Sequence, residues 1–334
     1  MFTTLDSIED ILARPGMRDW LRYLYSDHSL ELFPSCLASE PLRLSRHRAR
    51  TPWGDDLCDL ADQLVDAANL VLELQSGKRR CLSLRTWDDW HPREGSSSVD
   101  PSATFLITPR SEAEKSARRP AVIICPGGGY EMVSFQNEGT PVQRYFEDRG
   151  FAAFTLRYRV APSRWPEPQR DLLDAFAWVR EHADDYGIDQ RRISLFGFSA
   201  AGHLCASATA LAMEERPDVL PNALVLGYPV ISFSRDVTHE GSFRALTGGD
   251  ESLRERLSVE HLVRDGFPPT FAWACEDDDT VPCENVELLA SALEAQGSSH
   301  DCRVYPTGGH GCGLAFHASA WDWAPRALEF LRSR

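Results

Sequence analysis

Ser199 lies in the run Gly197-Phe198-Ser199-Ala200-Ala201-Gly202-His203, with small residues around the hydroxyl. A serine on a tight strand-to-helix turn needs such neighbours, because the backbone is cramped and the side chain must project. The amide of Ala200, opening the helix that follows, brings partial positive charge beside that hydroxyl. A glycine-rich turn of a nucleotide-binding unit has the same composition. A second stretch, Glu276-Asp277-Asp278-Asp279-Thr280-Val281-Pro282, offers carboxylates, and alone it also describes a solvated loop or a cation site. A third, Pro306-Thr307-Gly308-Gly309-His310-Gly311, sets an imidazole among glycines, accessible rather than packed. A fourth, Pro126-Gly127-Gly128-Gly129-Tyr130, presents backbone amides to a developing oxyanion or to a dinucleotide phosphate. Serine, acid and histidine follow in that order, with gaps of 79 and 32 residues from Ser199 to Asp278 to His310. A serine hydroxyl is a weak nucleophile until an imidazole takes its proton, and the imidazole needs a carboxylate to hold its tautomer. The set is one for acyl transfer. Against the dinucleotide reading, the next apolar run ends Leu156-Arg157-Tyr158, with no acid to hold a ribose.

Each of these stretches directly follows a continuous apolar run of the kind that forms a strand buried on both faces. The runs are Ala121–Cys125, Ala152–Leu156, Ile193–Phe196, Ala223–Leu226, Thr270–Ala274 and Cys302–Tyr305. Helical stretches at Thr140–Asp148, Arg170–Ala183, Ala200–Met213, Glu284–Ala295 and Pro325–Arg332 alternate with them. That alternation predicts a mostly parallel sheet with helices on both faces and ligands at the carboxyl ends of the strands. Two short strands, Cys81–Arg85 and Ala103–Thr108, precede it, and a charged loop runs from Arg110 to Arg119. Residues 1–75 read as a mainly helical extension, from the spacing of Ile8, Ile11 and Leu12, of Leu21, Leu24 and Tyr25, and of Leu57, Leu60, Leu64 and Ala67. Pro15-Gly16 and Pro52-Trp53-Gly54 punctuate it.

The net charge is −15, made of −3 over residues 1–120 and −12 over 121–334. An acidic body argues against nucleic acid as a partner, and the basic run from Arg43 to Arg50 reads as a solvated face. Lys78 and Lys115 are the only lysines and neither lies in a glycine-rich loop, which leaves no Walker-type phosphate lysine. Nine cysteines without a Cys-x-x-Cys pair fit a reducing compartment better than a disulfide framework or zinc site. The acidic N-terminus is no secretory signal and no stretch approaches 18 apolar residues, so a cytoplasmic protein with no membrane partner is expected.

From about residue 103 onward the chain resembles the acetyl-esterase and acetyl-xylan-esterase-like branch of the α/β hydrolases, relatives of hormone-sensitive lipase. PAVIICPGGGY (120–130), LRYRVAP (156–162), RISLFGFSAAGHL (192–204), ALVLGYPVIS (223–232), DDDTVPCENV (277–286) and YPTGGHGCGLA (305–315) carry the likeness. The resemblance implies an α/β-hydrolase fold over 76–334, Ser199 as nucleophile and His310 as base and then acid. It implies Asp278 as the acid, with Asp277 as rival, and an oxyanion hole from the amides of Gly128, Gly129 and Ala200. No cofactor or metal is implied. The chain departs from the family at Ala201, where a glycine is usual, and at Pro126, where a histidine often heads the glycine loop.

Residues 231–266 interrupt the strand–helix rhythm, where a lid or acyl-pocket wall would lie. Tyr130, Glu131, Tyr158, His239, Ser242 and Phe243 are candidate pocket residues, each equally readable as structural. Long aliphatic runs are missing from that insert, which favours a short acyl group, acetyl first, on a sugar or another small alcohol. The expected activity is thus a serine carboxylesterase on a small-molecule ester. An amidase with the same triad, or a non-catalytic binding protein on the same fold, are the alternatives. Residues 1–75 either cap the site, form a homodimer contact or cover the core.

Overall fold

The computed structural model describes residues 1–25, 31, 38–47, 57–111 and 118–334, with the side chains of 45–47 and 57–59 excepted. The Pro52-Trp53-Gly54 break, the end of the basic run at 48–50 and the middle of the 110–119 loop lie outside the described residues.

One sheet positions everything else. Its strands are β1 (Cys81–Ser83), β2 (Phe105–Ile107), β3 (Arg119–Cys125), β4 (Ala152–Arg157), β5 (Ile188–Phe198), β6 (Leu224–Gly227), β7 (Thr270–Cys275) and β8 (His300–Tyr305), in the order β1-β2-β4-β3-β5-β6-β7-β8. β1–β2 and β2–β4 pair antiparallel, and every other pairing is parallel. The apolar runs of β3, β4 and β7 have no polar face because helices cover both sides of the sheet, and Ala121–Cys125 is wholly buried. β8 departs from the expectation. It has one neighbour only and stays half-buried along its length, and Arg303 pairs with Asp301 on it. An edge strand needs no second apolar face, so Cys302–Tyr305 is not buried on both sides.

The register makes the active rim. Cys125 is level with Gly197, Phe198 with Gly227, and Cys275 with Tyr305. The turns after β3, β5, β7 and β8 therefore leave the sheet at one edge, as expected of ligand-binding turns in parallel sheets.

The helices are α1 (Ile8–Leu12), α2 (Met17–Leu24), α3 (Leu57–Gln75), α4 (Thr140–Glu147), α5 (Glu167–Glu181), α6 (Ala200–Glu215), α7 (Glu240–Thr247), α8 (Arg254–Leu257), α9 (Glu284–Ala295) and α10 (Trp323–Arg332). α6 is buried on nearly every side, which its run of alanines permits. A π-helical turn, Phe135–Gly139, leads into α4 and was not expected from the sequence. α1–α3 lie on the α4 flank of the sheet: Asn69 exchanges hydrogen bonds with the backbone of Phe2, and Arg144 of α4 pairs with Asp66 of α3. Between β6 and β7, the segment carrying α7 and α8 turns Ile231, Phe233, Phe243, Leu246, Leu257 and Val259 inward, all buried.

Candidate active site

Ser199 stands between β5 and α6 with φ 53° and ψ −125°, a conformation that costs a side-chain-bearing residue energy and persists only when the surroundings impose it. The surroundings do so. Its amide donates to the Gly227 carbonyl at 3.0 Å, and its carbonyl accepts from Gly202 at 2.9 Å and Val230 at 3.0 Å. A Cβ at position 197 would lie 2.2 Å from the Ala201 carbonyl oxygen, so only glycine lets the strand turn so sharply. Ala201, the departure from the family pattern, fits fully buried in the first turn of α6.

The Ser199 Oγ lies 2.8 Å from His310 Nε2, and His310 Nδ1 lies 2.7 Å from Asp278 Oδ2. A carboxylate only accepts, so Nδ1 carries the proton, Nε2 is the free base and the serine O–H donates to it. The other oxygen of Asp278 accepts from the amides of Thr280 and Val281, both at 2.9 Å, and its side chain is fully buried. Asp277 turns the other way and accepts from Gly308 and Gly309 at 2.9 and 2.8 Å. The acid against His310 is therefore Asp278, while its rival shapes the turn before the histidine. Both oxygens of Asp278 and one of Asp277 are thus committed to amides and imidazole.

Gly128 and Gly129 adopt φ of 123° and 66°, open to glycine, and a Cβ on Gly128 would meet the Met132 carbonyl oxygen at 2.4 Å. Among the described residues, neither amide has an acceptor, and that of Ala200 sits in the first helical turn, where no intrahelical acceptor exists. The pocket candidates divide. Tyr130 and Tyr158 do not line a cleft: both are fully buried, with Tyr130 Oη on His203 Nδ1 at 2.9 Å and Tyr158 Oη donating to the Pro126 carbonyl at 2.8 Å. They hold the glycine loop from below. Ser242 and Phe243 are buried too, Ser242 Oγ lying 2.8 Å from His239 Nδ1. Glu131 is exposed. His239 remains at the rim, half-buried at the N-terminus of α7, its Cε1 3.8 Å from where a Cβ on Gly129 would sit. It accepts at Nδ1 from the Ser242 amide, which leaves its proton on Nε2. Burial and the nearby His310 push its pKa down and keep it neutral.

Two buried groups next to the site carry no signal in the sequence. Glu138, on the π-helical turn, accepts from the Gly127 amide at 2.7 Å and from Tyr228 Oη at 2.8 Å. His203 links Tyr130 to the Leu257 carbonyl at 2.7 Å. Their partners are 11 to 90 residues away, so no local motif marks them.

The family described as BD-FAE matches residues 109–226. Endo-1,4-beta-xylanase B of Butyrivibrio fibrisolvens is 33% identical over 64% of this chain and 36% of its own length. Acetylxylan esterase of Xylanibacter ruminicola is 32% identical over 58% of this chain and 41% of its own. The chain thus spans less than half the length of these two relatives. Among solved structures, an acetyl ester-xyloside bifunctional hydrolase from Caldicellulosiruptor lactoaceticus is 33% identical, covering 76% of this chain and 95% of that one with a TM-score of 0.65. A propionate-bound esterase from Thermogutta terrifontis is 27% identical over 70% of this chain and 91% of its own, at a TM-score of 0.57.

Proposed function

This chain belongs to the acetyl-xylan-esterase-like serine esterases of the α/β-hydrolase superfamily, and from that membership we propose that it is a metal-independent carboxylesterase that removes short acyl groups, acetyl first, from small or carbohydrate-like alcohols. Ser199 attacks the ester carbonyl while His310 Nε2 takes its proton. The amides of Gly128, Gly129 and Ala200 hold the oxyanion, and Asp278 steadies the imidazolium. His310 returns the proton to the departing alcohol, then activates the water that frees Ser199. The observation that carries the reading is the relay from Ser199 to His310 to Asp278 at 2.8 and 2.7 Å, on a strained serine.

The preference for short acyl groups is supported by the insertion at 231–266, read as a lid on the 76–334 catalytic domain. Its apolar side chains are spent in the core, which leaves His239 rather than an aliphatic channel beside the glycine loop. A relative named an acetylxylan esterase and a solved neighbour named an acetyl ester-xyloside bifunctional hydrolase support a carbohydrate-like alcohol. The described cysteines carry no disulfide, in keeping with the cytoplasm, and no described helix is long and apolar enough to cross a membrane. A homodimer belongs to the proposal as a point for light scattering on the pure protein.

A series of p-nitrophenyl esters and acetylated xylo-oligosaccharides tests the activity. Acetyl should exceed octanoyl by about tenfold or more in kcat/KM, since each mismatched methylene costs about 1 kcal/mol or more. Ser199→Ala should be folded, inert and unlabelled by a fluorophosphonate. Octanoyl turnover well above acetyl would overturn the acyl preference, and an unlabelled wild type would overturn the enzyme.

A further inference from the structure

Glu138 is a carboxylate placed out of water in the middle of the site without touching the triad. It is 2% exposed, on the π-helical turn that enters α4, and such turns recur at functional places. A charge there is costly unless its lone pairs are filled. They are filled by two groups that each belong to a working loop. Oε2 accepts from the amide of Gly127, the residue before the two oxyanion glycines. Oε1 accepts from Tyr228 Oη, whose oxygen in turn accepts from the Gly313 amide at 3.0 Å, three residues beyond His310. Because that hydroxyl already receives the Gly313 N–H, its single proton goes to Glu138. Both carboxylate oxygens then face donors, which favours the ionised form against the burial that pushes the Glu138 pKa up.

The same turn holds the histidine loop a second time, since Asn137 Nδ2 donates to the Gly311 carbonyl at 2.6 Å. Space around the carboxylate is fully used. A Cβ on Gly127 would lie 2.8 Å from Ser199 Cβ and 3.0 Å from Glu138 Oε2, so the nucleophile, the glycine loop and this acid share one contact. The Tyr228 ring packs edge-on against the His310 imidazole, centroids 5.0 Å apart. The titratable groups facing Glu138 are Tyr158, Tyr228, Cys312 and His310. Those facing His310 are Asp278, Glu138, His239 and Tyr228.

We propose that Glu138 is a positioning residue for the reaction: its carboxylate ties the oxyanion loop to the histidine loop through Gly127 and the Tyr228–Gly313 link, and supplies a second negative charge beside the imidazolium that forms on His310. The inference rests on the esterase reading above. It gives the two loops that must meet in the transition state one common anchor, and it adds charge stabilisation from a group that never contacts substrate.

The test is Glu138→Gln against Glu138→Asp, with p-nitrophenyl acetate over a pH series. The glutamine keeps the size, loses the charge and turns an N–H₂ toward a donor. Its kcat should fall about 10- to 100-fold with KM within about twofold, as for a lost transition-state contact. Removing a negative neighbour disfavours a protonated imidazole, so the acid limb of kcat/KM should move to lower pH by about half a unit or more. Glu138→Asp keeps the charge and shortens the reach, so kcat should drop with the limb in place. A folded Glu138→Gln with wild-type kcat and limb, or one that loses only thermal stability, overturns the assignment. Should that variant not fold, Tyr228→Phe cuts the Gly313 link and leaves the carboxylate: a kcat loss of about tenfold is expected, and an unchanged kcat overturns the proposal. An active wild type with these outcomes counts against Glu138 alone, whereas a wild type inert to ester and fluorophosphonate overturns both readings.

Discussion

Asp277 and Asp278 are neighbours of one residue type, and what separates them is which lone pairs the backbone has taken. Asp278 keeps one oxygen on two amides and gives the other to His310, while Asp277 spends one oxygen on Gly308 and Gly309. Asp278→Asn should therefore release the imidazole from its tautomer and cut kcat by about 10³- to 10⁴-fold. Asp277→Asn keeps a carbonyl oxygen for both amides and should stay within about threefold, since neutral hydrogen bonds replace charged ones without leaving a donor bare. Rates on p-nitrophenyl acetate decide it, and the reverse ranking would transfer the role to Asp277. Spacing alone does not separate the two, because both follow the same strand within the same acidic run; the likeness to the family is what points to Asp278. Ser199 and His310 were legible for the opposite reason. Each is singular in its turn, and small residues or glycines around it serve little purpose except to expose it.

The elements were legible wherever burial is two-sided. Thr270–Cys275 and Ala152–Arg157 carry no charge within the strand before the last position, a pattern only a covered parallel sheet rewards. Its edge strand β8 mixes charge into the run, and its apolar stretch Cys302–Tyr305 suggests more burial than an edge position gives it. The π-helical turn at Phe135–Gly139 has no signature in the sequence, and the partners it meets, Gly127 and Gly311, lie 11 and 174 residues from Glu138 and Asn137. α6 is legible from its small-residue run, but the depth of its burial is not. It carries His203 into the interior, where the ring accepts from Tyr130 and donates to the Leu257 carbonyl, and burial pushes its pKa down to about 4. In the unfolded chain that imidazole titrates near 6.5. Above that pH neither state binds the proton and the stabilising contacts are intact. Between about 6.5 and 4 the unfolded chain takes a proton that the folded one refuses, so stability falls as pH drops through this window. Urea unfolding should show wild type losing about 2 kcal/mol more than His203→Gln between pH 7.5 and 5. Equal losses would mean that the buried ring is not the group being protonated.

At the scale of the whole molecule, the N-terminal helices are held to the sheet through a buried cation. The Arg79 guanidinium is fully buried and lies on Glu73 of α3 at 2.5 Å and on Glu147 of α4 at 2.6 and 2.7 Å. Arg79→Met should cost about 3 kcal/mol by leaving Glu147 without its cation, while Glu73 keeps Arg110. A lowered melting temperature with kcat unchanged below it is the expected result, because the pair lies on the flank and the triad on the rim. A loss of kcat in the folded variant would instead give residues 1–75 a part in the site. The charge balance acts over a longer range. Residues 121–334 hold a net −12, and Glu131 and Asp277 stand exposed beside the reacting groups, so an anionic ester meets repulsion before it meets Ser199. The effect on encounter is a screened one, with a Debye length that contracts from about 30 Å at 10 mM salt to about 3 Å at 1 M. The p-nitrophenyl hemisuccinate should thus have a kcat/KM several-fold below that of its neutral methyl ester at 10 mM salt, and the gap should close as salt rises. A gap that stays constant would locate the discrimination in the contact surface around His239, since short-range fit does not respond to ionic strength.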